Sequence, residues 1–181
     1  MKLNRIGMLG VCLAAAAPGA PAQAPHAHGT GELLVAVEKG RLDIEFRSPL
    51  DNLVGFEHAP RTDAQRAAVK AMTARLNRPE TLFKLPQAAS CTAGPAQIDS
   101  PLDAPAAPSK SAKPAHKPGD DDHAELTATF RFACADPGKL DSIEVAIFDA
   151  FPRTTAIKAQ IIGPRGQSAA RLSPKRRVIR L

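Results

Sequence analysis

Apolar and polar residues alternate with a period of two through residues 32–38 and again through 41–47. In the second run Leu42, Ile44 and Phe46 fall on one side and Asp43, Glu45 and Arg47 on the other, the pattern of a strand with one buried and one wet face. The Lys39-Gly40 pair between the runs predicts a tight hairpin. The period then lengthens: Ala67, Val69, Met72 and Leu76 make an apolar stripe along a helix over residues 63–76, with Thr62 as its N-cap and Asn77-Arg78-Pro79 as its stop. Residues 80–85 fit either a turn of helix or a short strand. Alternation returns in residues 124–134, where Leu126, Ala128, Phe130 and Phe132 share a side, and residues 142–148 and 157–162 read as further strands. Gly163-Pro164-Arg165-Gly166 turns the chain into residues 167–172, and residues 178–181 add an edge strand. The pattern predicts an α+β fold: a mainly antiparallel sheet with one long helix packed on its apolar face.

One stretch breaks the pattern. Over residues 92–122 the apolar period vanishes and Pro, Ala, Lys and Ser crowd together, which predicts a flexible loop centred on residues 93–122. Neither flank carries enough apolar residues for its own core. Together they come to roughly 125 residues, a size that suits one domain interrupted by a loop.

The N-terminus changes the chemistry to be expected. Lys2 and Arg5, an apolar run over residues 6–17 and the small-residue site Ala20-Pro21-Ala22 have the order of a secretory signal, residues 1–22, so the mature domain is expected to span residues 23–181. No other stretch is long and apolar enough to span a bilayer as a helix. The expected location is the periplasm. Loss of Lys2 and Arg5 lowers the formal charge from +6 to +4, and the one dense basic run is Lys175, Arg176, Arg177 and Arg180. With neither Tyr nor Trp to stack on bases, the chain does not read as a nucleic-acid binder, and the run reads as a charged edge strand. Two cysteines remain beyond the signal, Cys91 and Cys134; in an oxidising compartment a disulfide is the natural reading, with thiolate zinc ligands the alternative.

Catalytic motifs are missing. The sequence holds no Gly-x-Ser-x-Gly elbow, phosphate-binding glycine loop, His-Glu-x-x-His helix or dinucleotide fingerprint, so it does not read as an enzyme. Metal donors are present. His26 and His28 stand two residues apart at the expected mature start, where an extended chain points both imidazoles the same way. His116 and the run Asp120-Asp121-Asp122-His123 bring imidazoles and carboxylates to the end of the loop, and His58 follows Glu57 in the folded body. Such donors suit a divalent ion, with zinc the first candidate. The alternatives are a frayed terminus, a solvated loop end and a structural histidine at position 58.

Several segments resemble the ZrgA-like family of periplasmic zinc-binding proteins. They are His26-Ala27-His28-Gly29-Thr30-Gly31-Glu32-Leu33, the block from Ser48 through Asn52 to Pro60, the surroundings of Cys91 and Cys134, and Phe148-Asp149-Ala150-Phe151-Pro152. The resemblance covers essentially the whole mature chain. It implies capture of periplasmic zinc and its transfer to a zinc-uptake transporter. The chain departs from the family where members carry a long insertion rich in histidine and acid: here only His116 and His123 stand among lysines, whose charge repels a cation. The expected ligands are therefore His26 and His28, helped by His123, Asp122 or His58, for one or two ions per chain. The alternative function is a non-catalytic structural or adaptor component of an envelope transporter complex whose metal ligands have decayed.

Overall fold

The computed structural model describes residues 28–102 and 124–181. The expected signal, residues 1–22, and the greater part of the expected loop lie outside the described residues. Strands β1 (Thr30–Glu38) and β2 (Arg41–Pro49) form the hairpin that Lys39-Gly40 predicts. Both turn residues have positive φ, 44° and 83°, which matches the right-handed twist of the strands and explains a glycine at the second position. A short helix α1 (Leu50–Val54) follows, then α2 (Asp63–Leu76), and α3 (Pro79–Leu82) running into β3 (Phe83–Lys84), so residues 80–84 are helix and strand in turn and Leu85 belongs to neither. Next come β4 (Cys91–Ala93), β5 (Gln97–Asp99), β6 (Glu125–Cys134), β7 (Ser142–Val145), α4 (Ile147–Ala150), β8 (Ala156–Gly163), β9 (Gly166–Leu172) and β10 (Val178–Arg180).

Seven strands make the main sheet, in the order β4-β6-β2-β1-β8-β9 with β5 also on β6. Its pairs are antiparallel except one. β1 and β8 run parallel, from Thr30 beside Ala156 to Ala36 beside Ile162. One face carries the alternating apolar residues, Leu33 and Val35, Leu42 to Phe46, Leu126 to Phe132, and Ile157 to Ile161, all buried. The long helix does not cover that face alone. A second sheet, β10-β7-β3, shares its core, with the Phe83 ring 5.2 Å from Phe130 and 6.4 Å from Phe132, and Ile143, Val145 and Ile179 in the same cluster. Helix α2 buries only Met72 and Leu76, while Ala67 is exposed and Val69 half-buried. A stripe this narrow cannot cover a sheet of seven strands by itself, and α2 adds Met72 and Leu76 to the shared core beside α1 and α3.

The expected N-cap is in place. Thr62 Oγ1 accepts the N–H of Gln65, whose side chain in turn accepts the N–H of Thr62, a complete capping box. Thr62→Ala is expected to lower stability by about 1 kcal/mol, read from the urea midpoint at unchanged slope.

Three further expectations change. The strand expected over 142–148 stops at Val145, because Ala146 leaves extended geometry (φ −92°, ψ 13°) and Ile147 opens α4; an apolar run with no alternation does not mark that boundary. The loop begins later than its composition suggests. Thr92 faces Ala133 and Ile98 faces Ala128, so residues up to 99 are tied to β6 and the start of the stretch is sheet. The last strand is an edge, but of the smaller sheet, where it pairs with β7. Cys91 and Cys134 are register partners on β4 and β6 and are joined by a disulfide. The crosslink thus fastens β4, the strand before β5 and the loop, to the far end of β6, the strand on which the loop returns.

Candidate metal-binding site around His28 and Asp51

The start of β1 is pinned to the rest of the fold through Gly29. Its carbonyl accepts the N–H groups of Thr155 (2.8 Å) and Ala156 (3.0 Å) and the Thr155 hydroxyl (3.2 Å). Its own N–H goes to Asn52 Oδ1 at 2.6 Å. Gly29 has φ 79°, and an added Cβ would lie 2.8 Å from Thr155 Oγ1, so only glycine fits this clamp. Asn52, 1 % exposed, completes the joint by donating from Nδ2 to the Thr30 carbonyl and to Ser48 Oγ, each at 3.1 Å. A buried amide has its donors and acceptor used at once. That lets a polar residue sit in the core without an unpaired group.

His28 immediately precedes this clamp. Its Nδ1 lies 3.6 Å from Asp51 Oδ2 on α1, with the imidazole exposed and the carboxylate half-buried. Arg153 holds the same carboxylate from the other side: Nη2 donates to Oδ1 at 3.0 Å and Oδ2 at 3.1 Å, and Nε to the Asp51 carbonyl at 2.9 Å. One short helix therefore collects an imidazole from the chain start and a guanidinium from the segment before β8. Two nitrogen and oxygen ligands on one tetrahedral zinc at ordinary bond lengths lie about 3.3–3.4 Å apart. The His28–Asp51 spacing is close to that value. Arg153 works against a cation there by neutralising the carboxylate.

The other expected ligands fall differently. His58 is exposed on the loop after α1, its ring 5.3 Å from that of Phe56 and its Nδ1 2.9 Å from the Ala59 carbonyl. A proton on Nδ1 serves that bond and leaves Nε2 as the nitrogen open to a metal. His26, His116, Asp122 and His123 lie outside the described residues. Among the described residues no group of three or more His, Cys, Asp and Glu side chains comes together around a metal position. The described chain does resume beside His28's neighbours: the Ala124 carbonyl accepts the N–H of Leu50, the first residue of α1, at 2.9 Å. Cys91 and Cys134 are committed to their disulfide and are not thiolate ligands.

Asp51, Asn52 and Arg153 are the residues that composition and spacing did not single out. Asp51 and Arg153 are 102 positions apart, and nothing local announces the contact. The available signal was the Ser48–Pro60 block itself, which holds Asp51 and Asn52, and the Phe148–Pro152 segment, which ends one residue before Arg153.

No curated protein matches the chain. The model of the ZrgA family zinc uptake proteins matches residues 25–181, nearly the whole sequence beyond the expected signal and all three parts of the His28–Asp51–Arg153 cluster. The resemblance carried by the His26–Leu33 and Ser48–Pro60 segments is therefore borne out, and the chain belongs to the ZrgA family of zinc uptake proteins.

Proposed function

We propose that this protein is a non-catalytic periplasmic zinc-binding protein that captures the ion and passes it to a zinc-uptake transporter. Membership of a zinc uptake family supports the zinc, and the sequence of residues 1–22 supports the compartment. The observation that carries the reading is the pair at the chain start: His28 Nδ1, held 3.6 Å from Asp51 Oδ2 by the Gly29–Asn52 clamp. Zinc is the cargo here. His28 and Asp51 supply two donors, and His26, two positions before His28, with Asp122 and His123, which directly precede the Ala124 that α1 holds, supply the rest. An ion bound in this way links the chain start and the loop end to the body.

One observation favours a second reading. Arg153 already neutralises Asp51, as expected of a structural ion pair in an adaptor whose metal ligands have decayed. Native mass spectrometry of the full chain with zinc, copper and calcium separates the two. The expected result is retention of one or two zinc ions at micromolar concentration, lost in the His26→Ala, His28→Ala double variant, weakened in Asp51→Asn and tightened severalfold in Arg153→Gln. Equal retention by the double variant overturns the site, and no retention by the unaltered chain overturns the zinc reading and favours the adaptor.

A further inference from the structure

The last 32 residues of the chain, 150–181, hold eight Lys and Arg and no Asp or Glu; every acidic residue lies before them. The fold places one of these cations within strand β9 and several others beside it or in the turns at its two ends. Arg165 stands in the turn that opens β9, Arg171 lies within it, and Lys175 and Arg176 follow in the turn closed by the Ser173–Arg176 bridge. Lys158 on β8 is the register partner of Arg171, and both are exposed. Arg180 shares with Arg165, Gly166, Gln167, Ser168 and Leu181 the lining of a cavity of about 210 Å³ beneath the β8–β9 hairpin. Arg177 alone of the terminal run is engaged by a described carboxylate, that of Asp149.

β9 is also the exposed edge of the main sheet. It pairs with β8 on one side, and among the described residues no strand or loop backbone bonds to its other side. Alternate residues of an antiparallel edge direct N–H and C=O groups outward, a template for another strand. The opposite end of the sheet is made of β4 and β5, three residues each, whereas β9 has seven, about 24 Å of edge at about 3.4 Å per residue. Its outer residues Gln167, Ser168 and Ala169 are small or polar and no proline interrupts it.

From these two features we infer that β9 is a docking strand for an extended acidic segment of a partner protein, which adds to the main sheet and pairs its carboxylates with the cations along the edge. The backbone ladder supplies binding, and the flanking Arg and Lys select the partner by charge. A second copy of this chain is the wrong occupant, because β9 against β9 would bring the same cations together. A bare anionic surface would use the charge but leave the backbone groups of the edge unused.

The test uses the isotope-labelled full chain and a capped peptide of alternating Glu and Thr, with three comparators: a Lys-Thr peptide, the Glu-Thr peptide N-methylated at alternate amides, and phosphatidylglycerol vesicles. The Glu-Thr peptide is expected to bind and to slow hydrogen exchange of β9 amides by about tenfold or more. The Lys-Thr and N-methylated peptides should bind at least about tenfold more weakly, and the Arg165→Gln, Arg171→Gln variant should weaken the Glu-Thr complex by at least about fivefold. Vesicle binding without β9 protection, equal binding of the N-methylated peptide, or no peptide binding at all overturns the proposal. In the last case the cations only shield the edge.

Discussion

Replacing Asn52 with alanine is expected to lower the free energy of unfolding by about 3 kcal/mol, measured by urea denaturation. The size comes from what is left behind. The side chain is 1 % exposed and serves the Gly29 N–H, the Thr30 carbonyl and Ser48 Oγ together. Alanine offers none of these partners, and a buried donor or acceptor left without one costs about 1–3 kcal/mol, offset in part by water where the groups are only half-buried. The Asp51–Arg153 ion pair gives a contrast on the same helix. Arg153 is mostly exposed, so Arg153→Ala should cost less than about 1 kcal/mol. If Arg153→Ala proves the more damaging of the two, the clamp is held by the ion pair and the role given to Asn52 is wrong. Asn52→Ala should also speed exchange of the Gly29 amide and weaken zinc retention, since His28 would then lie on a frayed end.

The second large effect is expected from the disulfide. Cys91 and Cys134 are 43 positions apart, and the chain-entropy treatment of a loop that long gives about 4 kcal/mol. The Cys91→Ser, Cys134→Ser variant should lose most of that, seen as a lower urea midpoint in non-reducing buffer and no further loss on adding reductant to the variant. Strand pairing is expected to temper the effect, since Thr92 pairs with Ala133 and Ala93 with Phe132 through backbone bonds that are not part of the crosslink. An unchanged midpoint would mean that β4 and β5 hold the loop ends without covalent help.

What could be read from the sequence was what is decided locally. The Lys39-Gly40 hairpin and the Thr62-capped helix each depend on residues within a few positions of one another, and both form where expected. The pairing of β1 with β8 and the contact of Asp51 with Arg153 join positions more than a hundred residues apart, and no local period encodes them. The rest of the sheet's cover has a similar origin. Periodicity showed that α2 has an apolar stripe, but only the competing surface of β3, β7 and β10, with Phe83 against Phe130 and Phe132, decides what covers the sheet. His28 was visible as a donor because imidazole chemistry travels with the residue. Its carboxylate neighbour was not, because Asp51 reads as one more polar residue until the fold brings it to the chain start.

The parallel pairing of β1 carries a consequence for how the chain is made. β1 lies between β2 and β8, so one side of the first strand stays unpaired until residues 156–163 have been synthesised. The β1–β2–β6 hairpin and meander can form early, yet the sheet cannot close around its own first strand before about nine-tenths of the polypeptide exists. Until then the free edge of β1 is open to pairing with another chain.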